Sequence, residues 1–141
     1  MEGVLAPFAD EIQRADEDPG DIIDQAILLW KIMHHVIDEY RERHPEWQVV
    51  RNEDLAVYPM QSYRALCDYL DLPFDAAMEK TVESFTTAGD HHSGDMPLHA
   101  VRRDSEAEAW KWRRELDAET ISRVKKGTAS VWEKFYSSDE W

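Results

Sequence analysis

Between Ile22 and Arg43 apolar side chains recur at three- and four-residue spacing, and this run constrains the fold more than any other feature of the chain. Ile23, Ala26, Ile27, Trp30, Met33, His34, Ile37 and Tyr40 form one stripe, and Ile22, Leu29 and Val36 widen it. Such spacing predicts a long helix with a broad buried face. Asp21 is placed to cap its start, after the punctuation of Pro19 and Gly20, and His44 and Pro45 stop it. A helix that apolar needs a core to face. The 141 residues, 43% of them apolar and 33% charged, suffice for one ordinary domain with such a core.

The rest of the pattern is helical with one exception. Trp47 to Val50 reads as a short strand rich in β-formers. Asn52 to Leu55 reads as a polar turn, and a second helix follows Pro59 with Tyr63, Leu66, Cys67 and Leu70 inside. Asp75 to Thr86 reads as a third helix built on Ala76, Met78, Val82 and Phe85. From Thr87 to Asp104, Gly89, Gly94 and Pro97 break the periodicity and predict a long loop. Ser105 to Arg114 is short helix or irregular chain. Asp117 caps a last helix to about Phe135, with Ile121, Val124, Thr128, Val131, Trp132 and Phe135 inside. A single strand leaves its backbone groups in need of partners, and Val49 and Val50 suggest a strand covered on both faces. The expected class is therefore α/β, mostly helical within this chain with about one strand, the other strands lying elsewhere.

Charge narrows the function classes. The net charge of −14 disfavours nucleic acid as a partner. Yet five of the sixteen Lys and Arg residues fall between Arg102 and Arg114. Such a patch either holds a compact anion or forms a solvated face paired with Glu106, Glu108 and Glu115; spacing alone favours the paired face. No apolar run is long enough to span a bilayer, and no basic-then-apolar leader opens the chain, so a cytoplasmic location is the default expectation. The lone Cys67 reads as a small buried side chain. His91, His92, Asp95 and His99 share one loop but match no zinc spacing, so no metal is expected. His34 reads as a satisfied core histidine. Glu53 and Asp54 read as helix-capping acids, and most of the six tryptophans as core, with Trp110 and Trp112 excepted because they flank the cations.

Three segments in order resemble the sulfotransferase family, and together they span nearly the whole chain from Ala6 onward. The first is QAILLWKIMHHV at 25–36, running into EYRERHPEW at 39–47. The second is VVRNEDL at 49–55, with Pro59 following and YLDLP at 69–73. The third is VRRDS at 101–105, then WRREL at 112–116 and a closing WEKFY at 132–136. The likeness is to the C-terminal portion of bacterial sulfotransferases that resemble those acting on carbohydrates and small molecules. It implies a P-loop-like α/β fold in which residues 1–141 are one part of a single domain. It also implies 3′-phosphoadenosine 5′-phosphosulfate (PAPS) as co-substrate, with sulfuryl transfer to a hydroxyl or amine of a carbohydrate or small-molecule acceptor.

The resemblance assigns the 3′-phosphate contacts to Arg103, with Arg102 as its substitute, and to the hydroxyl of Ser105; Trp112 and Arg113 would shape or close the pocket. It moves the balance toward the anion reading of the basic patch. Two departures stand against the family pattern. Asn52 occupies the position where many members carry an aromatic residue against adenine, and no Lys-Ser-Gly-Thr loop is present. The nearest string, Lys126, Gly127 and Thr128, lies inside the last predicted helix and follows no strand, so it is no phosphate loop. The catalytic base and that loop are expected from an absent N-terminal half, and the isolated chain is expected to be inactive. The other reading is an inactive acidic helical binding protein or split-enzyme subunit, whose partner is the missing half or a further copy of the chain.

Overall fold

A computed structural model describes residues 3–86 and 105–141, which fall into two compact units: residues 3–49 with 116–141, and residues 50–86 with 105–115.

The first unit is built on the long helix. A 3-10 turn, Ala6–Phe8, leads into α1, Ala9–Glu17, and α2 runs Ile22–Arg43. The Asp21 carboxylate starts α2 by accepting from the amides of Ile23 (2.9 Å) and Asp24 (3.0 Å). Gly20 precedes it at φ +64, where a Cβ would also lie 2.6 Å from the Asp24 carboxylate. Tertiary contacts fasten the cap, since the Arg123 guanidinium donates to both Asp21 oxygens at 2.6 and 2.9 Å and lies 2.6 Å from Asp24. Arg123 sits on α8, Ala118–Gly127, which Asp117 caps by accepting from the Thr120 amide at 2.7 Å.

The predicted closing helix breaks at Thr128. This residue is fully buried, its hydroxyl donates to the Val124 carbonyl at 2.8 Å, and a separate turn, α9, Ala129–Trp132, follows. The break leaves the Lys125 carbonyl to the Trp132 indole N–H, at 2.9 Å. Phe8, Val131 and Trp132 are buried, as is Asp38, which accepts from Arg41 at 2.6 Å and from Lys134. His34 stacks on Trp30 with ring centroids 3.5 Å apart, and its Nδ1 lies 3.0 Å from the Trp30 carbonyl oxygen, as expected for a satisfied core histidine.

The covered face of α2 keeps the centre of the predicted stripe, with Ile23, Ile27, Trp30, His34 and Ile37 half-buried, but is shifted toward Lys31, His35 and Asp38. Glu11 of α1 reaches Lys31 at 2.6 Å, Phe8 packs edge-on against His35, and Asp38 is buried, whereas Ile22, Leu29, Met33 and Tyr40 stay exposed. Trp47, expected in the core, is exposed as well and stacks on His44.

The second unit corrects the fold class. Trp47 to Val50 is not a strand: the described residues contain helices and turns and no sheet, so they do not form the expected P-loop-like α/β arrangement. The physical reason lies in the backbone of the expected strand. Its amides and carbonyls need a neighbouring strand, and among the described residues no second extended segment runs beside it. Arg51 keeps extended backbone (φ −84, ψ 137), and the expected polar turn is a short helix, α3, Asn52–Val57. Glu53 and Asp54 fall in its first turn, where carboxylates complement the exposed amides, but no side chain caps it; Asp54 accepts from Arg51 at 2.9 Å instead.

Pro59 opens α4, Pro59–Tyr69, as predicted. The helix ends in a Schellman motif, with Asp71 at φ 55, the Leu72 amide donating to Cys67 O (2.8 Å) and the Asp71 amide to Asp68 O (3.3 Å). Asp75 then caps α5, Ala76–Thr86, by accepting from the amides of Ala77 and Met78, both at 3.0 Å. Two short helices complete the unit: α6, Ser105–Ala109, against α3, and α7, Trp112–Glu115. Cys67 and Val82 are its buried apolar side chains.

Candidate functional site

The packing of α3 against α6 opens a cavity of about 560 Å³ on the second unit. Asn52 and Leu55 line it from α3, Tyr63 from α4, Phe85 from the end of α5, and Ser105 and Glu108 from α6. Its volume falls within the range of small-molecule pockets. The lining combines two aromatic rings, an amide, the hydroxyls of Thr86 and Ser105, and one carboxylate. Ser105 and Glu108 are three residues apart on one short helix, so both face the same space. Glu108 brings negative charge to the cavity, and its Lys111 partner, 4.0 Å away, also lies 3.5 Å from Glu115.

A second concavity of about 360 Å³ lies on the same unit, bounded by Glu106, Trp110, Arg113 and Arg114. The Arg113 guanidinium sits 3.9 Å from the centre of the Trp110 ring and 5.4 Å from that of Trp112, positions that give cation–π attraction. Arg114 donates to the Ala107 carbonyl at 3.4 Å. The described part of the basic cluster is thus engaged with acids, rings and backbone around α6 and α7.

Of the residues singled out in the sequence, Ser105 lines the larger cavity and Arg113 the smaller, while Trp112 lies beside Arg113 on α7. The two cavities do not merge these residues into one cluster. Arg102 and Arg103 lie outside the described residues, as do His91, His92, Asp95 and His99. Lys126, Gly127 and Thr128 close α8 instead of cradling a phosphate, and Gly127 serves packing: a Cβ there would lie 2.8 Å from Ile27 of α2.

Sequence reasoning missed Tyr63, Phe85 and Glu108. Tyr63 and Phe85 carried an apolar-position signal that says inside or outside but not which cavity, and Glu108 looked like one more charge-pair partner. No helix among the described residues is long and apolar enough to cross a membrane.

No family model, no curated protein and no solved structure matches the chain.

Proposed function

We propose that this chain serves PAPS-dependent sulfuryl transfer to a hydroxyl or amine of a carbohydrate or small-molecule acceptor, its second unit supplying part of the pocket for the adenine and 3′-phosphate. One observation carries the reading. Asn52 and Ser105 come from two separate segments of the family resemblance, far apart in sequence, and both line the same cavity of about 560 Å³.

The chemistry of the lining suits that ligand in part. The Ser105 hydroxyl donates to a phosphate oxygen, and Arg103, two residues before it, adds a charged fork. Asn52 cannot stack on a base, but Phe85 and Tyr63 bring aromatic faces to the same cavity from other helices. Glu108 opposes a dianion there. Sulfuryl transfer itself needs groups that hold the leaving phosphate and take the acceptor proton, and the resemblance assigns neither role to these residues. The 141-residue chain alone is expected to transfer no sulfuryl group.

The test is a titration of the purified chain with adenosine 3′,5′-bisphosphate. Saturable binding is expected, weakened roughly tenfold or more by Arg103→Ala and about fivefold by Ser105→Ala. Absence of binding, or equal binding of unphosphorylated adenosine, refutes the proposal.

A second reading, an inactive acidic binding protein or split-enzyme subunit, is favoured by a different observation: large apolar side chains lie exposed along α2.

A further inference from the structure

The exposed side chains of α2 are not scattered. Ile22, Ala26, Leu29, Met33, Val36 and Tyr40 follow one another at intervals of 4, 3, 4, 3 and 4 residues, the spacing of a helix–helix seam. Val36 is half-buried and the others are exposed. The run covers roughly 27 Å of helix at about 1.5 Å per residue. Beyond its C-terminal end the line of apolar surface continues through Trp47, whose ring centroid is 5.8 Å from that of Tyr40. The four large seam residues are 72%, 59%, 53% and 46% exposed in chain order, and Trp47 is 54% exposed. With side chains of about 200 Å² each, that is on the order of 600 Å² of apolar surface, the upper end of what a monomer leaves in water.

We infer that this seam is a self-association surface on which α2 of a second copy of the chain packs antiparallel. Area supports the occupant: two such faces bury roughly 1,200 Å², the lower limit for a specific protein interface. The helix dipoles select the orientation, since antiparallel pairing opposes them and parallel pairing aligns them. Side-chain charge at the ends is already matched within each copy: Arg123 holds Asp21 and Asp24, Asp38 holds Arg41, and Glu39 holds Arg43. Antiparallel pairing also sets Leu29 against Met33 of the second copy near the two-fold axis, and Ile22 against its Tyr40. The interface is modest and joins two chains of net charge −14, so the dimer is weak and strengthens as salt screens the repulsion.

Sedimentation equilibrium on the full chain tests this. A monomer–dimer equilibrium is expected, tightened at least roughly threefold on going from about 20 to about 500 mM salt. Leu29→Glu and Met33→Lys, of opposite charge and at exposed positions, each weaken dimerisation at least about 50-fold by placing a charge at the centre of the seam. Their circular dichroism stays that of the wild type. Leu72→Glu, also at an exposed leucine but off the seam, leaves the dimer intact. The inference is overturned by a wild-type chain that stays monomeric, which would give the seam to a different polypeptide. It is equally overturned by a dimer indifferent to both seam variants, by association that weakens with salt, or by open-ended aggregation.

Discussion

Replacing Gly127 by alanine sets two effects against each other. Gly127 ends α8 where it crosses α2, and the added methyl would sit 2.8 Å from Cγ2 and 2.9 Å from Cδ1 of Ile27. Carbon atoms in good contact stand about 3.5–4.0 Å apart, so the overlap is real. The Ile27 side chain yields little, because Cγ2 is bonded directly to Cβ and a β-branched residue in a helix holds essentially one χ1 rotamer. Relief requires the helices to part. Overpacking of this kind costs about 1–3 kcal/mol, against a helix-propensity gain of at most about 1 kcal/mol for Gly to Ala, and less at the last helical position. The net expectation is a loss of about 1–2 kcal/mol, or roughly 3–8 °C in Tm.

Thermal unfolding followed by far-ultraviolet circular dichroism measures it. A second variant isolates the cause: with Ile27→Ala the obstructing atoms are gone, and Gly127→Ala becomes neutral or stabilising in that background. A Gly127→Ala chain as stable as the wild type, or more so, refutes the reasoning and removes the structural explanation for this glycine.

Two further outcomes follow from named side chains. The Arg123 guanidinium, helped by the amides of Asp24 and Ile23, holds the Asp21 carboxyl down to about 2 from its ordinary 3.8. The stabilisation from this pairing is therefore complete above about pH 4 and is lost as pH falls from 3.8 toward about 2; the urea-midpoint gap between wild type and Asp21→Asn stays constant near neutrality and closes across that window. At the cavity, Glu108→Gln removes a negative charge beside Ser105 and tightens adenosine 3′,5′-bisphosphate roughly three- to tenfold, read by the same titration; unchanged or weaker binding places the phosphate elsewhere.

The helix starts were the most legible part of this fold. Asp21, Pro59, Asp75 and Asp117 mark helix beginnings through local chemistry, a carboxylate accepting the first amides or a ring that needs none, and each stands where it was read. The expected strand at Trp47 to Val50 failed because β-propensity describes how a side chain fits beside neighbouring strands, and among the described residues none flank it. Helix α1 escaped notice because its apolar positions, Ile12 and Ala15 with Phe8 just before them, are few and set among acids, and its polar contact to α2, Glu11 with Lys31, leaves no signal in the local sequence. The extension of the covered face of α2 was illegible for a related reason: Lys31 and Asp38 look solvent-facing until Glu11 and Lys134 supply their partners.

At the candidate site, Ser105 was singled out from its segment, and it lines the cavity. The convergence of Phe85 and Tyr63 on it was not legible, because each belongs to a different helix and only tertiary packing joins them.

The central claim is that residues from two distant segments hold one nucleotide, and backbone amide chemical shifts test it residue by residue. On titration with adenosine 3′,5′-bisphosphate, the amides of Asn52, Ser105 and Glu108 are expected to shift together along one saturation curve, while Thr128 and Val131 in the other unit stay still. Nucleotide that leaves Asn52 and Ser105 unmoved, or that shifts one without the other, contradicts the account.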